Sequence, residues 1–275
     1  MFAKSTIAIL GALEKEVRYI AQAIKGAAVE SLGGLTVFSG TYQGFYVVTT
    51  VAGMGTVNAA AAAQLLISTY GADALIFTGI AGGLNPALHS NDIVIGKRLR
   101  YTDTDTALIA ESAPGLEEFA STDYLVDLAE EVLLANGYVD AGLSAEQAGS
   151  ISPGQAADAS PSRSANHASE PKHYLKGTIA TGNRFITGAD ARAALIQATQ
   201  ADCAEMEGAA IAHIAAKNGI DCLVLRAISD NCDEAYDALS ARSFDLNSYA
   251  RTASEIVLAM IRRLHVPLGM NTFPK

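Results

Sequence analysis

Short runs of β-branched and apolar residues alternate with helix-period segments along almost the whole chain, and this alternation restricts the fold more than any other feature. Residues 7–10 form an apolar run ending at Gly11-Ala12, and a helical pattern follows over 13–24. Residues 35–41 and 45–52 read as two strands joined by a Gln43-Gly44 turn. Gly53-Met54-Gly55 opens an Ala-rich helix over 57–70, residues 74–78 form a buried strand ending at Gly79, and 91–101 form another strand. A helix over 124–136 has Gly137 as its C-cap. Strand returns at 175–180, helix at 189–198, strand at 201–204 and helix at 208–218. An apolar strand over 222–228 closes in Ser229-Asp230, and a long amphipathic helix covers 246–264. Strands separated by helices predict an α/β fold with a mostly parallel central sheet covered on both faces. The 275 residues suffice for one domain spanning 1–275. Within it, 140–171 turns to Ser, Ala, Gly, Pro and Gln, the composition of a flexible insertion.

With 19 basic against 29 acidic side chains the formal charge is −10, which argues against nucleic acid or an anionic membrane as partner. No apolar run is long enough to cross a bilayer. The first apolar run meets Glu14-Lys15-Glu16 at once, so it reads as a strand and not a signal peptide. Cys203, Cys222 and Cys232 lack C-x-x-C spacing, which points to buried thiols of a cytoplasmic protein and to neither disulfides nor zinc. No metal and no organic cofactor is implied.

Sites in such sheets gather at the C-terminal ends of strands. Carboxylates stand at three of these ends: Glu14 and Glu16, Glu205 and Glu207, and Asp230. Taken alone, Glu205-Met206-Glu207 reads as a helix start whose acids complement the macrodipole, Glu16 as a first-turn acid and Asp230 as an N-cap. Arg226, however, lies inside an apolar strand, where a cation is costly unless paired, and those carboxylates are the available partners. His213, among Ala and Ile, reads as a core histidine, whereas His167 and His173 find no place. Gly53-Met54-Gly55 begins like a dinucleotide fingerprint, but Asn58 occupies the third glycine position and no suitable acid follows. Walker, H-E-x-x-H and G-x-S-x-G patterns are absent.

Five segments, in order, carry a resemblance: residues 7–16 (IAILGALEKE), 78–83 (TGIAGG), Phe185-Ile186, Glu205-Met206-Glu207 and 226–230 (RAISD). The chain resembles the purine nucleoside phosphorylase/nucleosidase superfamily, and within it the 5′-methylthioadenosine/S-adenosylhomocysteine nucleosidases. The resemblance implies a single α/β domain on a mixed, barrel-like sheet and a homodimer acting on a purine nucleoside. It implies that Asp230 protonates purine N7 with Ser229 in support, and that Glu16 is the general base on the attacking water with Arg226 nearby. Glu207 and Met206 would hold the ribose, Phe185 would stack on the base and the Ile186 backbone would read its edge. Ile80, Ala81 and Gly82 complete the binding set. Leu13, Met54 and Phe244 would form the 5′ subsite, with Ile109 reaching in from the partner subunit.

The chemistry suits these residue types. Cleaving an N-glycosidic bond passes through an oxocarbenium-like sugar that carboxylates stabilise, while the leaving purine needs a proton. Three readings follow: a hydrolase releasing adenine, a phosphate-dependent phosphorylase, or a silent purine binder. A silent binder would lack the acid or the base, and all three carboxylates are present. Phosphorylases of the family place an arginine two residues before the glycine corresponding to Gly79; here Phe77 stands there, and no Arg occurs between Arg18 and Arg98. Hydrolysis is therefore expected. Ile80 stands where nucleosidases often carry Ser, and Asn183-Arg184 replaces the commoner pair before Phe185. Arg184 reads as a solvent-facing loop residue, or as a contact for an anionic group on a larger substrate.

Overall fold

A computed structural model describes residues 5–142, 172–232, 236–241 and 243–264. Nearly all of the expected insertion therefore lies outside the described residues. The strands are β1 (Thr6–Gly11), β2 (Lys25–Leu32), β3 (Leu35–Tyr42), β4 (Phe45–Val51), β5 (Ala74–Gly83), β6 (Ile93–Tyr101), β7 (Val139–Asp140), β8 (His173–Thr181), β9 (Cys203–Glu205) and β10 (Asp221–Asp230). The helices are α1 (Glu14–Ala23), α2 (Thr56–Tyr70), α3 (Thr106–Ala110), α4 (Asp123–Ala135), α5 (Ala189–Thr199), α6 (Gly208–Asn218), α7 (Tyr236–Ala241) and α8 (Ser243–Arg263).

β1 and β10 are buried at every residue, as strands covered on both faces must be, which is why they read as unbroken apolar runs. β1 pairs in parallel with β4 and β5, and β5 pairs in parallel with β10. β10 then meets β6 antiparallel, β6 meets β8 parallel, and β8 meets β9 parallel. β9 returns to β5 antiparallel through Gly82↔Ala204 and Gly83↔Cys203. The ring β5-β10-β6-β8-β9 thus closes into a five-stranded mixed barrel, and β4, β3 and β2 extend from β1 as an antiparallel meander. The sheet is more mixed than the alternation of elements predicts, because β6 and β9 reach their neighbours through long connections that can turn either way.

Two packed layers hold the barrel. On one side, the Ala-rich faces of α2 (Ala59, Ala62, Ala63) and α6 (Ala209, Ala212) are fully buried, and their small side chains let the two helices pack closely. On the other, Val257, Met260 and Ile261 of α8 share a cluster with Val132 and Leu133 of α4 and with Ile9, Ile76 and Leu225 of the strands. Two expectations change. β2 has no counterpart in the sequence pattern, and β5 runs on through Gly79–Gly83 instead of ending at Thr78. Cys203, Cys222 and Cys232 are buried free thiols. His213 is half-buried as a core histidine, its ring stacked 4.4 Å from Phe119 and its Nδ1 3.3 Å from the Tyr101 hydroxyl.

Candidate active site

Strands β1, β5 and β10 run in parallel, so Gly11, Gly79–Gly83 and Arg226–Asp230 converge on one end of the barrel. There a cleft of about 840 Å³, measured out to open solvent, is lined among others by Leu13, Glu16, Met54, Ile80, Phe185, Met206, Glu207 and Asp230.

Glu16 sits one turn into α1 and is only 2% exposed. Its Oε2 accepts the Leu13 N–H at 2.8 Å, which caps the helix, and its Oε1 accepts the Ile80 N–H at 3.0 Å. A Cβ on Gly79 would lie 2.3 Å from Glu16 Oε1 and 2.5 Å from Arg226 Nη1. Glycine at 79 therefore makes the room in which this carboxylate and this guanidinium approach each other. Burial pushes the Glu16 carboxyl above the ordinary range, opposed by the charge of Arg226 and by its backbone donors.

Arg226 is fully buried in β10. It pairs with Glu205, stands 3.6 Å from Glu207 Oε2, and lays its guanidinium 4.0 Å over the Phe77 ring. Burial works against its charge, but Glu205, Glu207 and Glu16 together hold its pKa above the usual arginine value. Its Nε and Nη1 have no acceptor among the described residues. Phe77 supplies a ring face to this cation.

The two acids of Glu205-Met206-Glu207 divide the work. The Glu205 carboxylate accepts the Thr181 hydroxyl and the N–H groups of Glu207 and Gly208, so it serves the positive end of α6. Glu207 reaches away from its own helix to accept the Gly55 N–H at 2.8 Å. Gly55 has φ of 93° and starts α2, so the glycine needed for that turn also brings a helix N-terminus onto Glu207. Burial and the neighbouring Glu205 charge raise the Glu207 carboxyl to about 7, against the pull of Arg226.

Asp230 ends β10 and is 5% exposed. Its Oδ2 accepts the Cys232 N–H at 2.8 Å, and its Oδ1 is 2.7 Å from Ser229 Oγ. That same Oγ lies 3.1 Å from the Ala81 carbonyl oxygen. A Cβ on Gly82 would strike Cys232 Sγ at 2.4 Å, so glycine there lets the turn carrying Asp230 fold against β5.

A model of the phosphorylase superfamily matches residues 6–262. The chain belongs to the phosphorylase superfamily. It is 32% identical over 233 residues to a 5′-methylthioadenosine/S-adenosylhomocysteine nucleosidase of Shewanella sp. (strain MR-7), covering 82% of this chain and 84% of the relative. It is 29% identical over 260 residues to the nucleosidase of that name from Treponema pallidum, covering 94% and 93%. Among solved structures it resembles the MTA/SAH nucleosidase of Streptococcus pneumoniae in complex with 8-aminoadenine, with a TM-score of 0.75, 26% identity and coverage of 94% and 100%.

Most residues singled out in the sequence as superfamily site residues meet in the cleft: Leu13, Glu16, Met54, Ile80, Ala81, Gly82, Phe185, Ile186, Met206, Glu207, Ser229 and Asp230. Arg226 lies behind the wall, against the cleft-lining Glu205 and Glu207. Ile109, on α3, is not among the cleft-lining residues of this chain, and Phe244 belongs to α8 with its side chain outside the described residues. Sequence reasoning misses Lys15, Cys232, Leu239 and Leu246 as lining residues. Leu246 is visible only as part of a helix face, and Cys232 follows Asp230 too closely to show a period of its own. Arg184 is exposed and lines the cleft, so it borders the site as well as solvent.

Proposed function

We propose that this cleft hydrolyses the N-glycosidic bond of 5′-methylthioadenosine and S-adenosylhomocysteine, releasing adenine. The observation that carries the choice of water over phosphate is the grouping of Glu16, Glu205 and Glu207 around the single guanidinium of Arg226. The guanidinium is already engaged by Glu205 and outnumbered by the acids around it, so it is not left free to hold a phosphate dianion. A neutral water needs no such partner.

In this reading Glu16 takes a proton from the attacking water, and the buried Arg226 steadies the neighbouring carboxylates from behind the wall. The oxygen bonds to C1′ of the ribose as the C1′–N9 bond breaks, and its electron pair leaves with the purine. The proton on Asp230 goes to N7, so adenine departs neutral. The Ser229 geometry supports a protonated Asp230. One hydroxyl hydrogen serves either the Ala81 carbonyl or an ionised Asp230, whereas a proton on Oδ1 lets both contacts form. Glu207 accepts the ribose hydroxyls, and its ionised form helps offset the positive charge that builds on the sugar. Phe185, 38% exposed at the cleft, offers a ring for the purine, and the Ile186 backbone reads its edge. Leu13 and Met54 supply the apolar 5′ subsite, completed by Phe244 and by Ile109 of a second copy.

The working form is a cytoplasmic homodimer in methionine salvage, its protomer one domain with an insertion over 140–171. The exposed Leu108 beside Ile109 on α3 supports a partner at this helix. Among the described residues, no helix is long and apolar enough to cross a membrane. The test is release of free base from methylthioadenosine, S-adenosylhomocysteine, adenosine and inosine, resolved by chromatography. Turnover of the first two well above inosine is expected. Preference for inosine, or no release from any, would overturn the reading.

A further inference from the structure

Away from the cleft, the turn before β6 and the start of β8 bring together His89, Asp92 and His173. His89 Nδ1 is 3.6 Å from one oxygen of Asp92, and His173 Nδ1 is 3.8 Å from the other. A ligand atom from each of the three residues fits within a 4.8 Å span. These separations are too long for hydrogen bonds. Metal–nitrogen and metal–oxygen bonds of about 2.0–2.2 Å at tetrahedral angles put neighbouring ligands about 3.3–3.6 Å apart, so to share one ion the imidazoles close in on Asp92, a movement that the exposure of His89 permits.

The carboxylate is fixed in advance. Asp92 is 4% exposed, its Oδ2 accepts the His89 N–H and its Oδ1 the His173 N–H, both at 2.7 Å. Each oxygen keeps a further lone pair for an ion. The backbone carbonyls hold the same frame: Asp92 N–H donates to the His89 carbonyl at 3.0 Å, and Ile228 N–H donates to the Asp92 carbonyl at 2.8 Å. His89 is 74% exposed and leaves a route from solvent.

We propose that His89, Asp92 and His173 bind one divalent transition-metal ion of the zinc class. Two imidazoles and one carboxylate suit Zn²⁺, Co²⁺ or Ni²⁺, whereas Mg²⁺ and Ca²⁺ prefer oxygen alone. With three protein ligands, a fourth position is left for water. The ion would tie the turn to β8 and stiffen the segment that bonds β10, since Asn91 N–H donates to the Ile228 carbonyl at 2.8 Å, two residues before Asp230. The site is independent of the nucleosidase reading, and either can fail without the other.

The test is calorimetric titration of the untagged full chain with Zn²⁺ at about pH 7.5. One ion per chain at micromolar affinity or tighter is expected, with a rise in the thermal midpoint. His89→Asn and His173→Asn should each weaken binding at least about tenfold. His89 is exposed, so its variant should keep the metal-free midpoint. Co²⁺ should give weak visible bands without thiolate charge-transfer absorption, because the three cysteines are buried. Binding weaker than micromolar, or affinity unchanged in the variant that carries both His89→Asn and His173→Asn, would overturn the proposal.

Discussion

Replacing Glu207 by Gln should change how stability depends on pH, by an amount the structure sets. The Glu207 carboxyl sits at about 7 in the folded chain, against an ordinary value of 4.5. In the unfolded chain it sheds its proton near the ordinary value, so between about pH 4.5 and 7 the native state binds more protons than the unfolded state. Unfolding free energy therefore falls as pH rises through this window: the contribution is fully present below the unfolded value and gone above the folded one. At about 1.4 kcal/mol per pH unit, a raise from 4.5 to about 7 is worth about 3 kcal/mol. The physical source is a carboxylate that burial and the charge on Glu205 disfavour, only partly rescued by Arg226 and the Gly55 N–H. A glutamine amide in its place keeps the shape and cannot titrate. Urea unfolding of both proteins at fixed concentration, from about pH 5 to about pH 8, isolates the group. The wild-type stability minus that of Glu207→Gln should fall by about 2–3 kcal/mol across the range. A flat difference, or one that rises with pH, would refute the placement of Glu207 as a buried, proton-holding acid.

Glu16→Gln should lower kcat about 10²–10⁴-fold while a substrate analogue still binds within a few-fold, since the amide oxygen can keep the Ile80 N–H; steady-state rates and inhibitor titration check both. Asp230→Asn should fold normally, because its amide can donate to Ser229 Oγ as a protonated Asp230 would, yet lose at least about 100-fold in adenine release. The same variant should lose far less on 4-nitrophenyl riboside, whose leaving group needs no proton; an equal loss on both would remove Asp230 as the acid. Gly79→Ala should cost about 1–3 kcal/mol in urea unfolding and most of the activity, because its Cβ meets both Glu16 and Arg226.

Strand-end carboxylates and a cation in an apolar strand are visible without coordinates, because burying charge is costly and demands partners. That is why Glu16, Arg226 and Asp230 stand out in the sequence, and the barrel does bring them to one end. The fate of each acid in Glu205-Met206-Glu207 is not legible there. Both fit a helix start, and only the third dimension shows Glu205 capping α6 while Glu207 turns to Gly55. Strand β2 leaves no trace in the pattern because most of its residues are exposed; pairing with β3, and not a buried face, holds it. The closure of the barrel through Gly82 and Gly83 is hidden for another reason. Glycines read as the end of a strand, yet here they let β9 and the Asp230 turn come close. His173, silent in the sequence, gains meaning only beside Asp92, 81 residues away.

The choice of nucleophile is tested most directly by incubating the chain with methylthioadenosine in phosphate-free buffer and again with phosphate, and identifying the sugar product by mass spectrometry. Three carboxylates around one guanidinium predict adenine and free methylthioribose at the same rate in both. Adenine release only with phosphate, accompanied by a sugar 1-phosphate, would contradict it.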